Sequence, residues 1–83
     1  MDVEMLTNYI NAAMRHATYK IPGDGTYYGE VPSLQGVYAN APSLEVCRAE
    51  LPSALEDWIL FGLVNGFPIP TIDGLTLTAA KVA

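Results

Sequence analysis

Residues 43 to 66, SLEVCRAELPSALEDWILFGLVNG, carry a helical pattern that changes character half-way along. Leu44, Cys47, Leu51, Leu55 and Trp58 recur at three- and four-residue spacing, with Ala54 beside them, so they share one helix face. Glu45, Arg48, Glu56 and Asp57 take the other face. Ser43, after Pro42, is a good helix start, and Glu45 places negative charge in the first turn, where the helix dipole favours it. Val46 stands where the glutamate of a capping box would be, so the box is absent. Asn65-Gly66 is the stop signal, with Pro68 and Pro70 beyond. Pro52 lies inside the pattern. It removes one backbone bond and clashes with the carbonyl of Arg48, so a kink is expected there, two shorter helices being the alternative. From Trp58 to Val64 (WILFGLV) the sequence is apolar nearly all round, unlike a solvated surface helix. That half is expected to be buried against a second subunit or the N-terminal helix, and Trp58, Phe61 and Phe67 are the candidate oligomer-interface residues.

The rest of the chain is shorter-ranged. Residues 3 to 14 fit a helix with Val3, Leu6, Ile10 and Met14 on one face and Asp2 as its N-cap. HATYKI, residues 16 to 21, alternates, with Ala17, Tyr19 and Ile21 on one side and His16, Thr18 and Lys20 on the other. PGDG is turn chemistry, because proline fixes its own φ and Asp-Gly accepts positive φ. TYYGEV returns as the second arm of a hairpin: Tyr27, Gly29 and Val31 face one way, and Thr26, Tyr28 and Glu30 the other. Pro32 ends that strand and Ser33 to Gly36 turn the chain. Residues 37 to 41 (VYANA) form a third strand, with Val37, Ala39 and Ala41 on one side and Tyr38 and Asn40 on the other. LTLT, residues 75 to 78, has the pattern of a fourth, edge strand, and AAKVA is expected to fray. No repeat or low-complexity segment occurs. The order, helix, three-stranded antiparallel meander, long kinked helix and a last edge strand, is α+β.

The 83 residues suit one domain, 1–83, with a thin core. Hydrophobic content of 51% is more than so small a core hides, so a homo-oligomer is expected. The single cysteine, Cys47, rules out an internal disulfide and suits a reducing, cytoplasmic setting, where it reads as a small buried hydrophobe. Lys+Arg 4 against Asp+Glu 9 gives a net charge of -5. Arg15, Lys20, Arg48 and Lys81, spread along the chain, supply no concentrated positive field, which argues against direct nucleic-acid binding and for solubility or a basic protein partner. The acidic N-terminus MDVEMLTNYI is no signal peptide, and the longest apolar run is far too short for a membrane span.

Catalytic constellations are lacking. His16, the only histidine, sits at a strand start and reads as a surface residue. One histidine and one cysteine do not make a zinc site, and no phosphate loop or dinucleotide fingerprint occurs; the glycines of GDGTYYG belong to a hairpin turn. Asp24, Glu30, Glu50 and Asp57 are carboxylates to weigh for metal-dependent hydrolysis. Asp24 lies in a turn, and Glu50 and Asp57 are two helical turns apart on a solvated stripe. No enzymatic role, metal or cofactor is expected. Tyr28, Tyr38 and Glu30 are more informative. They project from the sheet face opposite Val31 and Val37, and if the first helix leaves that face open they suit a protein interface.

The order of these features resembles the HicB-like antitoxin family. The carriers are Tyr28, Glu30, Val31-Pro32, Leu34 to Gly36, Val37 to Ala41, Ser43 to Glu45 and Ala54 to Glu56, within YYGEVPSLQGVYANAPSLEVCRAELPSALEDWILF. The N-terminal helix and LEDWILF look closest to a stand-alone subgroup of uncharacterised single-domain bacterial proteins. The resemblance implies a partial ribonuclease-H-like fold without nuclease function. It also implies a partner, a small basic HicA-type toxin that cleaves messenger RNA, and an acidic protein is suited to occupy a basic RNA-binding surface. Residues 67 to 83 are too few for the DNA-binding module of full-length HicB proteins, so autorepression is not expected, and Pro52 departs from the family's helix. The expected function is binding and neutralising such a toxin without catalysis, with Tyr28, Glu30 and Tyr38 meeting it. The alternative is an orphan interaction domain of the same fold with no toxin partner.

Overall fold

The computed structural model describes residues 3–77 and gives the order α1 (Val3–Arg15), β1 (Thr18–Lys20), β2 (Tyr27–Glu30), β3 (Tyr38–Ala41) and α2 (Leu44–Asn65). Asp2, the side chain of Val3, Thr78 and residues 79–83 lie outside the described residues. The strands form one antiparallel meander in the order β1-β2-β3. Tyr19 pairs with Gly29, and Gly29 with Ala39, across the three strands. The expected α+β architecture is what the chain adopts.

Local chemistry accounts for the long helix. The Ser43 hydroxyl accepts the Val46 N–H at 3.2 Å, and the extended backbone of Ser43 turns the chain out of β3. At the far end the Gly66 N–H reaches the Leu63 carbonyl, and the Phe67 N–H donates to the Gly62 carbonyl at 2.8 Å, closing the last turn. Pro52 does not break the helix: α2 is one continuous element of 22 residues, so the two-helix alternative is excluded. Arg48, whose carbonyl loses its helical donor to Pro52, stands on the solvent side, where water can replace that bond.

The buried row on α2 is Cys47, Leu51, Leu55, Ile59 and Gly62. Leu44, expected on this face, is exposed, and Trp58 is half-buried. The row lies on the sheet face that presents Gly29, Ala39, Ala41, Val31 and Val37, all buried. Small residues let helix and sheet approach closely: the Cys47 thiol sits 3.6 Å from the Ala39 carbonyl. A Cβ built on Gly29 would meet the Tyr19 ring at 2.8 Å and the Cys47 sulfur at 3.1 Å. Tyr19 from β1 therefore lies across the bare backbone of Gly29.

Helix α1 packs on α2 rather than on the sheet. Its fully buried residues are Tyr9, Ala12 and Ala13, while Leu6, Ile10 and Met14 are only partly buried. The inward face is thus rotated toward the tyrosine from the one that the large aliphatics mark. The cause is the segment after α2. Residues 67 to 77 run back as a strap: Ile69 fills the space a Gly62 side chain would take, at 2.7 Å from an ideal Cβ, and the Tyr9 hydroxyl donates to the Pro70 carbonyl at 2.5 Å. Ile72 and Leu77 are buried. The fourth strand is not formed by the described residues 75 to 77. Ile72 and Leu75 instead make one isolated bridge around a turn at Asp73 and Gly74, because the strap is held by side chains of α1 and α2 and not by a sheet edge.

Gly29→Val is expected to destabilise the fold by about 2–3 kcal/mol, since the added side chain must displace a ring and a buried sulfur in a filled layer. Urea unfolding checks it; a midpoint equal to wild type would contradict the close packing of Tyr19 and Cys47 over this glycine.

Candidate functional site

Among the described residues, strand alternation and one helical layer leave the other sheet face uncovered. On it stand Thr18 and Lys20 of β1, Tyr28 and Glu30 of β2, and Tyr38 and Asn40 of β3, with Glu30 opposite Tyr38 and Tyr28 opposite Asn40. The diagonal pair Tyr28 and Tyr38 stack at a centroid distance of 5.9 Å with planes 21° apart. Tyr38 is 56% exposed, and Tyr28 is half-buried beneath its neighbours. Loss of water, and then the neighbouring Glu30 carboxylate, push the Tyr28 phenol above its ordinary pKa. Lys20 reaches diagonally across to Glu30, Nζ to Oε2, at 3.8 Å.

The loop between β2 and β3 shapes this face. The Leu34 N–H donates to the Val31 carbonyl at 2.9 Å, and the Val37 N–H donates to the Leu34 carbonyl at 3.2 Å. Two linked turns result, with Val31, Leu34 and Val37 buried and Pro32, Ser33, Gln35 and Gly36 outside. Gly36 has φ 94, a left-handed conformation that favours glycine, and the Trp58 indole nitrogen lies 3.6 Å from where its Cβ would be. The loop and the two tyrosines enclose an open cavity of about 310 Å³, walled by Tyr28, Glu30, Pro32, Gln35 and Tyr38. At the other end of the face Asn40 Nδ2 donates to Thr26 Oγ1 at 3.3 Å, and that hydroxyl donates to Asp24 Oδ1 at 2.5 Å. The second bond from the Thr26 backbone N–H, at 3.0 Å, also helps hold the Asp24 carboxyl below its usual range.

The three partner-binding candidates, Tyr28, Glu30 and Tyr38, are thus brought together at one cavity. The four carboxylates weighed for metal chemistry are not gathered: Asp24 is engaged in the hairpin turn, Glu50 and Asp57 are exposed on α2, and no group of three or more His, Cys, Asp or Glu among the described residues is placed to hold a metal. Cys47 is buried on α2 as the sequence suggests, and burial pushes its thiol up, away from nucleophilic reactivity. Of the oligomer candidates, Trp58 is half-buried against Gly36, whereas Phe61 and Phe67 are exposed, with rings 5.8 Å apart. No helix among the described residues is long and apolar enough to cross a membrane.

Two contributors escaped the sequence reading. Lys20 beside Glu30 follows from carrying the hairpin register across the PGDG turn. Leu34, in the cavity floor, is signalled by the three-residue spacing Val31, Leu34, Val37. His16 is a surface residue, but not an idle one: Nε2 lies 2.9 Å from Asp73 Oδ1, with Arg15 3.5 Å from Oδ2. These contacts tie the strap to the end of α1. Next to them is a shallow cavity of about 230 Å³ that Ser33 and Thr71 also line.

His16 and, more weakly, Arg15 hold the Asp73 carboxyl below its ordinary pKa. A depressed carboxylate pKa adds stability above the unfolded-state value and withdraws it as pH falls through the folded one. The protection factors of the Ile72 and Leu75 amides, taken against the intrinsic exchange rate at each pH, are therefore expected to fall selectively as pH drops through the low carboxylate range, and Asp73→Asn is expected to abolish that selective change. Exchange that follows the rest of the protein at every pH would contradict the latch.

A family model described as UPF0150-like matches residues 8–70. The crystal structure of TTHA0281 from Thermus thermophilus is similar to the chain, with 42% sequence identity and a TM-score of 0.83, covering 92% of this chain and 95% of that one. No curated protein matches.

Proposed function

The chain belongs to the UPF0150-like family, and from that premise we propose that it is a HicB-like antitoxin module, a non-catalytic protein that binds and neutralises a small, basic, HicA-type messenger-RNA-cleaving toxin in the cytoplasm. The observation that carries this reading is the uncovered sheet face, where Tyr28, Glu30 and Tyr38 surround one cavity on a protein of net charge -5. Tyrosines supply broad contact area at low entropic cost, and the net negative charge of the protein favours a basic partner. An RNA-binding surface is basic because it must hold phosphates, so an acidic protein that covers it blocks the substrate by occupancy alone.

Co-expression with a small basic open reading frame next to this gene tests the proposal. The expected result is co-purification, with growth rescued from the toxin, and Tyr38→Ala combined with Glu30→Gln weakening the complex by about tenfold or more. A neighbour that neither co-purifies nor is neutralised sinks the antitoxin reading and leaves an interaction domain with another partner.

The same proposal includes self-association through the end of α2. Leu60, Phe61, Val64 and Phe67 are 45%, 61%, 85% and 55% exposed, and α1 does not cover them. No charged residue occurs from Trp58 to Ile72, so two copies of an acidic chain can meet along this stretch without repulsion. The subunit is also extended: its radius of gyration is 13.5 Å, against about 12 Å for a compact chain of this length. Light scattering is expected to give a dimer or larger species, and Phe61→Glu, at an exposed site, to return it to monomer with its fold intact. A wild-type monomer at high concentration excludes the oligomer.

A further inference from the structure

We propose that the cavity between Tyr28, Glu30 and Tyr38 is a receptor for an arginine side chain of the basic protein partner, and that Lys20 competes for it from within the chain. This rests on the reading of the outer sheet face as the docking surface. Two features of the cavity fit one side chain. Its walls include two tyrosine rings only 21° from parallel, whose faces attract a flat cation. Glu30, opposite Tyr38 in the register, brings a carboxylate to the same space, with its side chain 30% exposed.

The present partner of Glu30 is poorly matched to it. Lys20 approaches to 3.8 Å, longer than a good charge-assisted hydrogen bond, and is itself 66% exposed. So loose a surface pair contributes little and gives way to a better one. A guanidinium is better for a geometric reason: it is planar, lies along a tyrosine ring, and meets a carboxylate with two parallel N–H donors, which a point-like ammonium cannot do. The loop that lines the cavity is fixed by its own hydrogen bonds and by Trp58 against Gly36, so the pocket exists before the partner arrives.

The test titrates the intact protein with acetylated, amidated octa-arginine and octa-lysine, followed by amide chemical shifts. Shifts are expected at Tyr28, Glu30, Tyr38 and the 31–37 loop, with the arginine peptide bound about tenfold more tightly than the lysine peptide. Glu30→Gln is expected to lower arginine affinity about tenfold and Lys20→Ala to raise it about threefold. Glu56→Gln and Arg48→Ala, which make the same charge changes on the solvent side of α2, are expected to stay within about twofold of wild type. Equal binding of the two peptides, equal effects of Glu30→Gln and Glu56→Gln, or no binding at millimolar peptide would each overturn the receptor. A toxin complex that forms although the peptide does not bind removes the receptor alone. Peptide binding without any toxin complex supports the receptor and removes the antitoxin reading.

Discussion

The close approach of α2 to a sheet of small residues decides the rest of the molecule. Leu51, Leu55 and Ile59 are fully buried, each contributing about 2 kcal/mol of apolar burial, and Cys47 reaches the sheet only because Gly29, Ala39 and Ala41 leave room. That layer occupies one face of β2 and β3. Among the described residues no second helix is left for the other face, because α1 is needed elsewhere. The need arises from length. Twenty-two helical residues run about 33 Å, whereas four strand residues run about 13 Å. Most of α2 overhangs its sheet and must find other cover.

Helix α1 and the strap of residues 67 to 77 supply that cover, and they depend on each other. Ala12 and Ala13 let α1 lie close, Tyr9 fixes the Pro70 carbonyl, Gly62 makes room for Ile69, and Asp73 closes on His16 and Arg15. What they do not reach is the side bearing Leu60, Phe61, Val64 and Phe67. Two open regions among the described residues, the outer sheet face and the end of α2, therefore have one origin: a long helix that exceeds what the other described elements wrap. They differ in chemistry, one being aromatic and polar with the Lys20 and Glu30 charges, the other apolar and uncharged, which suits them to unlike partners.

What was legible in the sequence follows the same division. Period-two alternation assigned each residue from Tyr27 to Glu30 and from Tyr38 to Ala41 to its face, because a pleat allows two faces and no others. Ser43 and Asn65-Gly66 marked the helix ends through chemistry that is local. The site candidates Tyr28, Glu30 and Tyr38 were found by that alternation alone. The strap was not, because nothing within LTLT distinguishes an edge strand from a segment pinned by side chains; Tyr9, Gly62 and His16 decide it from far along the chain. The same long-range cover turned α1 toward Tyr9 rather than toward the aliphatic line. Pro52 left two readings open, one long helix or two short ones, and the continuous helix is the outcome: the buried residues on either side, Leu51 and Leu55, are held by the core layer, and burial outweighs one lost backbone bond.

The outer face is ordered by the packing beneath it. Tyr28 and Glu30 are fixed by a strand whose inner neighbours, Gly29 and Val31, are locked against α2 and the Tyr19 ring. Tyr38 is flanked by Val37 and Ala39, both buried. Side chains that alternate with such anchors have little backbone freedom left to lose on binding, so most of the contact energy survives as affinity. The docking proposed for this face requires no catalytic group, only that the partner present a cationic side chain to the cavity beside Glu30. A scaffold that places its small residues on the inner face and its tyrosines on the outer one meets that requirement with three short strands.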